Sequence, residues 1–163
     1  MSRTNTVGKI VLLIGKVACG KTTYARKMEK QQRAIFLSLD ELQLSVFGDV
    51  PAREQLDSSY AGCCEYQKRL AIKLINEGID VYLDWGFWQK SARKEIRTFF
   101  ENEGIVVYQY YFDIPLAVRH ERNRKRNAAD DQHSFKIEEK DVLFFDGFFE
   151  APEQDENDKI FKV

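Results

Sequence analysis

GKIVLLIGKVACGKTTYARKM, residues 8–28, is the stretch from which the fold can be read. Its apolar run, Ile10 to Ile14, has the length and composition of a buried strand and ends at Gly15. From there the chain spells G-x-x-x-x-G-K-T: Gly15, Lys16, Val17, Ala18, Cys19, Gly20, Lys21 and Thr22, with Thr23 continuing into a helical pattern. A strand before and a helix after are the setting in which this spacing forms a phosphate-binding loop. Such a loop wraps anionic oxygens with backbone N–H groups, so side chains must stay out of the way. Gly15 and Gly20 permit the tight turn and close approach. The helix N-terminus adds unpaired N–H groups and a positive dipole end. Lys21 supplies a cation for the β- and γ-phosphates, and the Thr22 hydroxyl suits a magnesium ion. A nucleoside triphosphate, ATP with Mg2+, is the ligand these residues predict.

The rest of the composition narrows the class. A chain of 163 residues with 44% apolar and 31% charged residues can bury a core as one domain, residues 1–163. Its net charge of −1 argues against an extended nucleic-acid surface and leaves only local basic patches. The apolar run near the N-terminus is too short for a signal core or membrane span, which predicts a cytoplasmic chain that needs no membrane. Cys19, Cys63 and Cys64 form no C-x-x-C pair, so reduced thiols are expected.

Alternation of apolar runs and helical patterns places further strands at residues 34–39, 79–83 and 105–112, with a last one in DKIFKV. Helices are expected at about 22–32, 57–77, 91–103, after Pro115, and around 138–145. ELQLSVFGDVP, residues 41–51, reads as a connecting segment, and AADDQHS, residues 128–134, as a polar loop. The predicted fold is α/β: a three-layer P-loop NTPase sandwich, with a mainly parallel five-stranded sheet, helices on both faces and a helical lid at about 115–135. Oligomeric state has no sequence signal here.

Ligands of parallel sheets bind beyond the carboxyl ends of the strands. Gly15, Asp40 and Asp84 each follow a predicted strand, so all three converge on one edge. Asp84 closes an apolar strand as a magnesium-holding carboxylate does; a turn or capping aspartate is the alternative. Asp40 is the candidate base for an attacking hydroxyl, with helix capping as the competing role. In RHERNRKRN, residues 119–127, Arg119, Arg122 and Arg126 share one helical face while Arg124 points elsewhere. Planar cations gathered on one face suit the charge on transferring phosphoryl oxygens, and a lid that excludes water favours transfer over hydrolysis. Trp85 and Trp88, beside Asp84, can wall a substrate pocket or pack beneath their loop. Cys63 and Cys64 fall on the apolar face of a helix, while His120 and His133 lack metal-ligand spacing.

With these motifs together, the chain resembles the P-loop kinases grouped as AAA-type ATP-binding proteins, relatives of phage polynucleotide kinase, zeta toxins and chloramphenicol phosphotransferase. The matching pieces are GKVACGKTTYA, SLDELQLSVFG, LDWGFWQKSAR, RHERNRKRN and GFFEAPEQDE. The resemblance implies a kinase in which Asp40 acts on the acceptor hydroxyl and Arg119 and Arg122 grip phosphates. It also implies that Arg93 belongs to the substrate side and that Pro152 borders the base. Lys16 and Val17 replace the usual small residues, and Cys19 stands where serine is common, so oxidation of Cys19 would be expected to block the loop. The function expected is transfer of the γ-phosphate of ATP to a hydroxyl of a small molecule or nucleotide. Polynucleotide 5′-hydroxyl phosphorylation and toxin-like phosphorylation of nucleotide sugars use the same motifs, and a partner-coupled ATPase or nucleotide switch is the alternative of a different class. No N-K-x-D tetrapeptide occurs, which argues against a GTPase switch.

Overall fold

The computed structural model describes residues 7–129, 135–156 and 159–163. Strand β1, Ile10–Gly15, is buried along its whole length. Ile10, Leu12 and Ile14 enter one apolar cluster, and Val11 and Leu13 enter the other. A strand that buries both faces must be covered on both, and that fixes the layering. The first cluster takes in Ala71 and Ile75 with Ile96 and Phe100; the second takes in Ala25 with Phe36, Tyr82 and Phe112.

Helix α1, Lys21–Gln31, leads to β2, Ala34–Ser38, and then to α2, Leu39–Phe47, and α3, Arg53–Asn76. Strand β3, Asp80–Asp84, is followed by α4, Lys90–Asn102; β4, Val107–Phe112; and α5, Leu116–Ala128. Helix α6, Glu139–Asp146, and strand β5, Ile160–Lys162, complete the order. The five strands lie as β2-β3-β1-β4-β5, and every pairing is parallel. The predicted three-layer P-loop NTPase architecture is therefore the observed one. Among the described residues, no helix is long and apolar enough to cross a membrane.

Two segments depart from the sequence expectation. Residues 41–47 belong to a helix instead of a connecting segment. Ser38 Oγ accepts from Glu41 N at 3.2 Å, and Asp40 and Glu41 supply negative charge to the first turn. Helix α3 begins four residues earlier than expected, at Arg53, where Gln55 Oε1 accepts from Ala52 N at 2.8 Å. The C-terminal half of α5 is moored to the chain before α6: Asn123 and Asn127 both donate to Ile137 O, at 2.7 and 2.8 Å. His120 Nδ1 lies 3.1 Å from Glu139 Oε1, a contact between helices. His133, read above as a non-ligand, and part of the lid region lie outside the described residues.

Candidate active site

The phosphate loop is shaped by two residues in the left-handed region, Ala18 at φ 59° and Gly20 at φ 101°. Gly15 has no room for a side chain, because a Cβ there would lie 2.5 Å from Cys19 Sγ. Gly20 is the N-cap of α1, with no side-chain cap bond and no acidic residue in the first turn. That helix end is left open to an anion. Lys21 Nζ donates to Gly15 O at 2.9 Å and lies 3.8 Å from Cys19 Sγ. Burial works against the Lys21 charge, but Asp84, Cys19 and Asp40 outweigh it and hold its pKa above the ordinary lysine value. Thr22 and Thr23 are exposed at the start of α1.

Whether the Cys19 thiol is open to the oxidation that would block the loop depends on its burial. It is only 2% exposed, and burial pushes its pKa up despite the nearby Lys21. A buried, neutral thiol is a poor nucleophile toward oxidants.

Strands β2 and β3 end together, with Ser38 opposite Asp84 in the parallel register. Two residues on, Asp40 sits in the first turn of α2, where Ser38 and not Asp40 performs the capping. Asp40 is exposed at the start of α2, with Asp84 and Lys21 near enough to act on its charge. Loss of hydration, then the neighbouring Asp84, raise its pKa to about 6 against the opposing pull of Lys21 and Arg126. Two carboxylates and one ammonium thus share the edge beside the phosphate loop. Among the described residues no three His, Cys, Asp or Glu side chains form a ready-made metal cage. Magnesium does not require one: it keeps several waters and takes one or two protein ligands plus phosphate oxygens. The excess negative charge at Asp40 and Asp84, with Thr22 nearby in the motif, fits that ion.

The arginine face of α5 meets this edge from the other side. Arg122 Nη1 donates to Cys19 O at 3.0 Å. Arg126 Nη2 donates to Asn123 Oδ1 at 2.8 Å, and the guanidinium is near enough to Asp40 to pull its pKa down. Arg119 requires a correction. It is 2% exposed, and its guanidinium is committed to Asp146 at 3.0 and 2.5 Å, to Val17 O at 3.3 Å and to Ile114 O at 3.1 Å. Here Arg119 braces the phosphate loop, with its charge already met by Asp146.

Arg93, Trp85 and Trp88 also differ from the substrate-side reading. Arg93 is fully buried, paired with Glu156 through two contacts at 2.9 and 2.6 Å, and donates to Phe87 O and Trp88 O at 3.0 and 3.3 Å. It cannot reach a substrate from there; it fastens the C-terminal segment under the loop that follows Asp84. The indole N–H of Trp85 donates to Gln67 Oε1, and its ring stacks on Phe87 at 5.9 Å. Trp88 packs on Phe145 at 5.1 Å. Both tryptophans thus make packing contacts while staying half-buried.

A cavity of about 420 Å³ opens at the start of the phosphate loop, lined by Lys16, Asp113, Arg119, Asp146, Phe149 and Ala151 among others. Lys16 Nζ lies 3.6 Å from Asp146 and 5.7 Å from the Phe149 ring centre. Pro152 adjoins this cavity through its neighbour Ala151. Phe149 and Glu156 lie within GFFEAPEQDE and Asp146 just before it, but the motif marks none of the three individually. Their positions follow from the return of the chain across the sheet edge after α6.

The AAA domain family model AAA_33 matches residues 10–152. The chain belongs to this family. Its fold is similar to that of Chaetomium thermophilum Kti12 in complex with ADP-AlF3, at 16% identity and a TM-score of 0.70 over 94% of this chain and 88% of that one. Mycobacterium tuberculosis APS kinase CysC in complex with AMPPNP and APS gives 21% identity and a TM-score of 0.63 over 96% and 88%. A chain of the Pnkp1/Rnl/Hen1 RNA repair complex gives 18% and 0.68, over 90% of this chain and 45% of that one. No curated protein matches the sequence. These structures share the P-loop fold of this AAA domain, and identities this low speak to fold alone.

Proposed function

We propose that the protein is an ATP- and Mg2+-dependent phosphotransferase that moves the γ-phosphate to a hydroxyl of a small molecule or nucleotide. The observation that carries this reading is the placement of Asp40 and Asp84 at adjacent strand ends beside Lys21, with the Asp40 pKa raised to about 6. A carboxylate with that pKa is ionised at neutral pH yet basic enough to receive a proton as an alcohol attacks. The kinase-like fold and family membership support the same class.

In this reading Gly15 to Thr23 hold the triphosphate, with backbone N–H groups of the loop and Lys21 oriented toward its oxygens. Thr22 and Asp84 hold magnesium, which supplies charge neutralisation on the β- and γ-phosphates when bound. The acceptor hydroxyl donates its proton to the Asp40 carboxylate as its oxygen bonds to the γ-phosphorus. The bond from that phosphorus to the bridging oxygen breaks, and ADP leaves with the electron pair. Arg122 and Arg126 face the transferring group, and α5 serves as the lid that keeps water from acting as acceptor. The nucleoside occupies the cavity beside Lys16, with Phe149, Ala151 and the adjoining Pro152 along its wall. Residues 1–163 act as one domain.

A panel of metabolite alcohols, nucleosides and 5′-hydroxyl oligonucleotides with γ-labelled ATP tests the proposal. Label should pass to one acceptor class, and Asp40→Asn should lower that rate by about 10²–10⁴-fold while ATP still binds. An unchanged rate in Asp40→Asn would remove the assigned base. Hydrolysis without transfer to any acceptor would favour a partner-coupled ATPase.

A further inference from the structure

Helix α3 buries Cys64, Gln67, Ala71 and Ile75 along one stripe, and Gln67 is the polar member of it. Gln67 is 3% exposed, so its amide has given up water and must be paid back with hydrogen bonds. Both ends are satisfied, one by the last residue of β2 and the other by the residue just after β3. Gln67 Nε2 donates to Ser38 O at 2.9 Å, while Gln67 Oε1 accepts from the Trp85 indole N–H. Ser38 lies two residues before Asp40, and Trp85 lies one residue after Asp84. The parallel ladder between β2 and β3 reaches its last register pair at Ser38 and Asp84. Beyond it the chains part: one enters α2, and the other turns through Gly86 and Phe87, both at positive φ, 89° and 40°. The amide spans the gap where backbone pairing stops.

We propose that Gln67 is a positioning residue that fixes the separation of Asp40 and Asp84 across the candidate site. Its catalytic consequence rests on the kinase reading above; the tether itself does not. An apolar side chain of the same length would satisfy the stripe on α3 but remove the link between Ser38 O and the Trp85 indole, just where the ladder ends. A buried amide at this point therefore serves geometry more than core stability.

The test uses the full-length protein with Gln67→Met, Trp85→Phe and the double substitution. In Gln67→Met, amide exchange at Asp40, Asp84 and Trp85 should quicken by about tenfold or more, as expected when local opening becomes easier, and the Trp85 indole N–H should lose its exchange protection. With an acceptor in hand, kcat should fall by about 10- to 100-fold, the scale of an ångström-level misplacement, with KM for ATP within about twofold. The double substitution should be no worse than the more damaging single one, because both break one tether. Unchanged exchange at these sites in Gln67→Met would overturn the tether. Quickened exchange with wild-type kcat would overturn its positioning role, as would kcat and KM for ATP changing together in step with lost stability. If wild-type protein transfers phosphate to no acceptor, the kinase reading fails, while the exchange measurements still decide the tether.

Discussion

Arg93 and Arg97 on α4, and Arg119, Arg122 and Arg126 on α5, are the same residue type on consecutive crossover helices, yet they do different work. The α4 pair turns inward. Arg93 and Glu156 have side chains with no solvent exposure, and Arg97 adds a 3.5 Å contact to the same carboxylate and a 2.8 Å bond to Gln109 Oε1. The α5 set turns toward the phosphate loop. Arg119 is buried against Asp146, Arg122 touches a loop carbonyl, and Arg126 lies toward Asp40. What distinguishes a structural arginine from a candidate phosphate ligand is the anion already facing it. Arg93 has a protein carboxylate in bidentate register; Arg122 touches the Cys19 carbonyl of the phosphate loop, where the proposed function puts an incoming anion.

Substitution can separate the two sets sharply. Arg93→Met leaves buried Glu156 with only the 3.5 Å Arg97 contact and should destabilise the fold by about 3 kcal/mol, measured as a shift in the urea midpoint at constant slope. The activity of molecules that stay folded should change little. A stable Arg93→Met protein with abolished activity would return Arg93 to the substrate side. Arg122→Ala should do the reverse. A loss of about 10- to 100-fold in kcat is the scale of one charge-assisted contact to the transferring group, about 1.4–2.7 kcal/mol. Stability should change by less than about 0.5 kcal/mol, as for surface substitutions in general.

This contrast also marks where the sequence stops being informative. The phosphate loop is legible because eight adjacent residues carry it, and backbone geometry demands its glycines. Asp40 and Asp84 are legible because strand ends in a parallel sheet share one edge, so the position of each along the chain implies its place in space. The helical face of Arg119, Arg122 and Arg126 follows from periodicity alone. Periodicity does not reveal which members are already neutralised, since Asp146 and Glu156 lie 27 and 63 residues from the arginines they engage. Gln67 is silent for the same reason: its two partners are remote in sequence, and its type suggests only an exposed helical residue. Helix α2 was within reach, because Ser38 and Glu41 stand at capping-box spacing.

Acid should part the two regions by pH. Glu156 is buried, which by itself would raise its pKa, but Arg93 overcomes this and holds it below the ordinary value of 4.5. A lowered folded-state pKa stabilises the fold above the unfolded value and withdraws that stability as pH falls through the folded one. The latch should therefore hold down to about pH 4.5. Asp40, at about 6, becomes protonated well before that. Between these limits kcat/KM, which reports the unliganded enzyme, should fall about tenfold per pH unit while circular dichroism and the urea midpoint indicate a folded protein. Loss of activity that coincides with unfolding would assign the acid limb to the latch instead.

The smallest effect is the most discriminating, because its sign is opposite to the usual one. Asp40 has a folded-state pKa above its ordinary 3.8, so the fold binds the proton more tightly than the unfolded chain does. Its contribution is most favourable below pH 3.8 and diminishes as pH rises through about 6, leaving a charged carboxylate that opposes folding at neutral pH. Removing that charge with Asp40→Asn should raise stability at pH 7.5 by on the order of 1 kcal/mol, a figure reduced because solvent screens this exposed group. The same variant loses the base for phosphoryl transfer. A gain in stability at neutral pH that disappears at pH 4, together with lost activity, is the signature of a functional carboxylate held at the cost of the fold. For Glu156→Gln, the expectation is the opposite: destabilisation at pH 7.5 that narrows as pH falls. If Asp40→Asn also destabilised the protein at neutral pH, Asp40 would belong with Glu156 among the structural carboxylates.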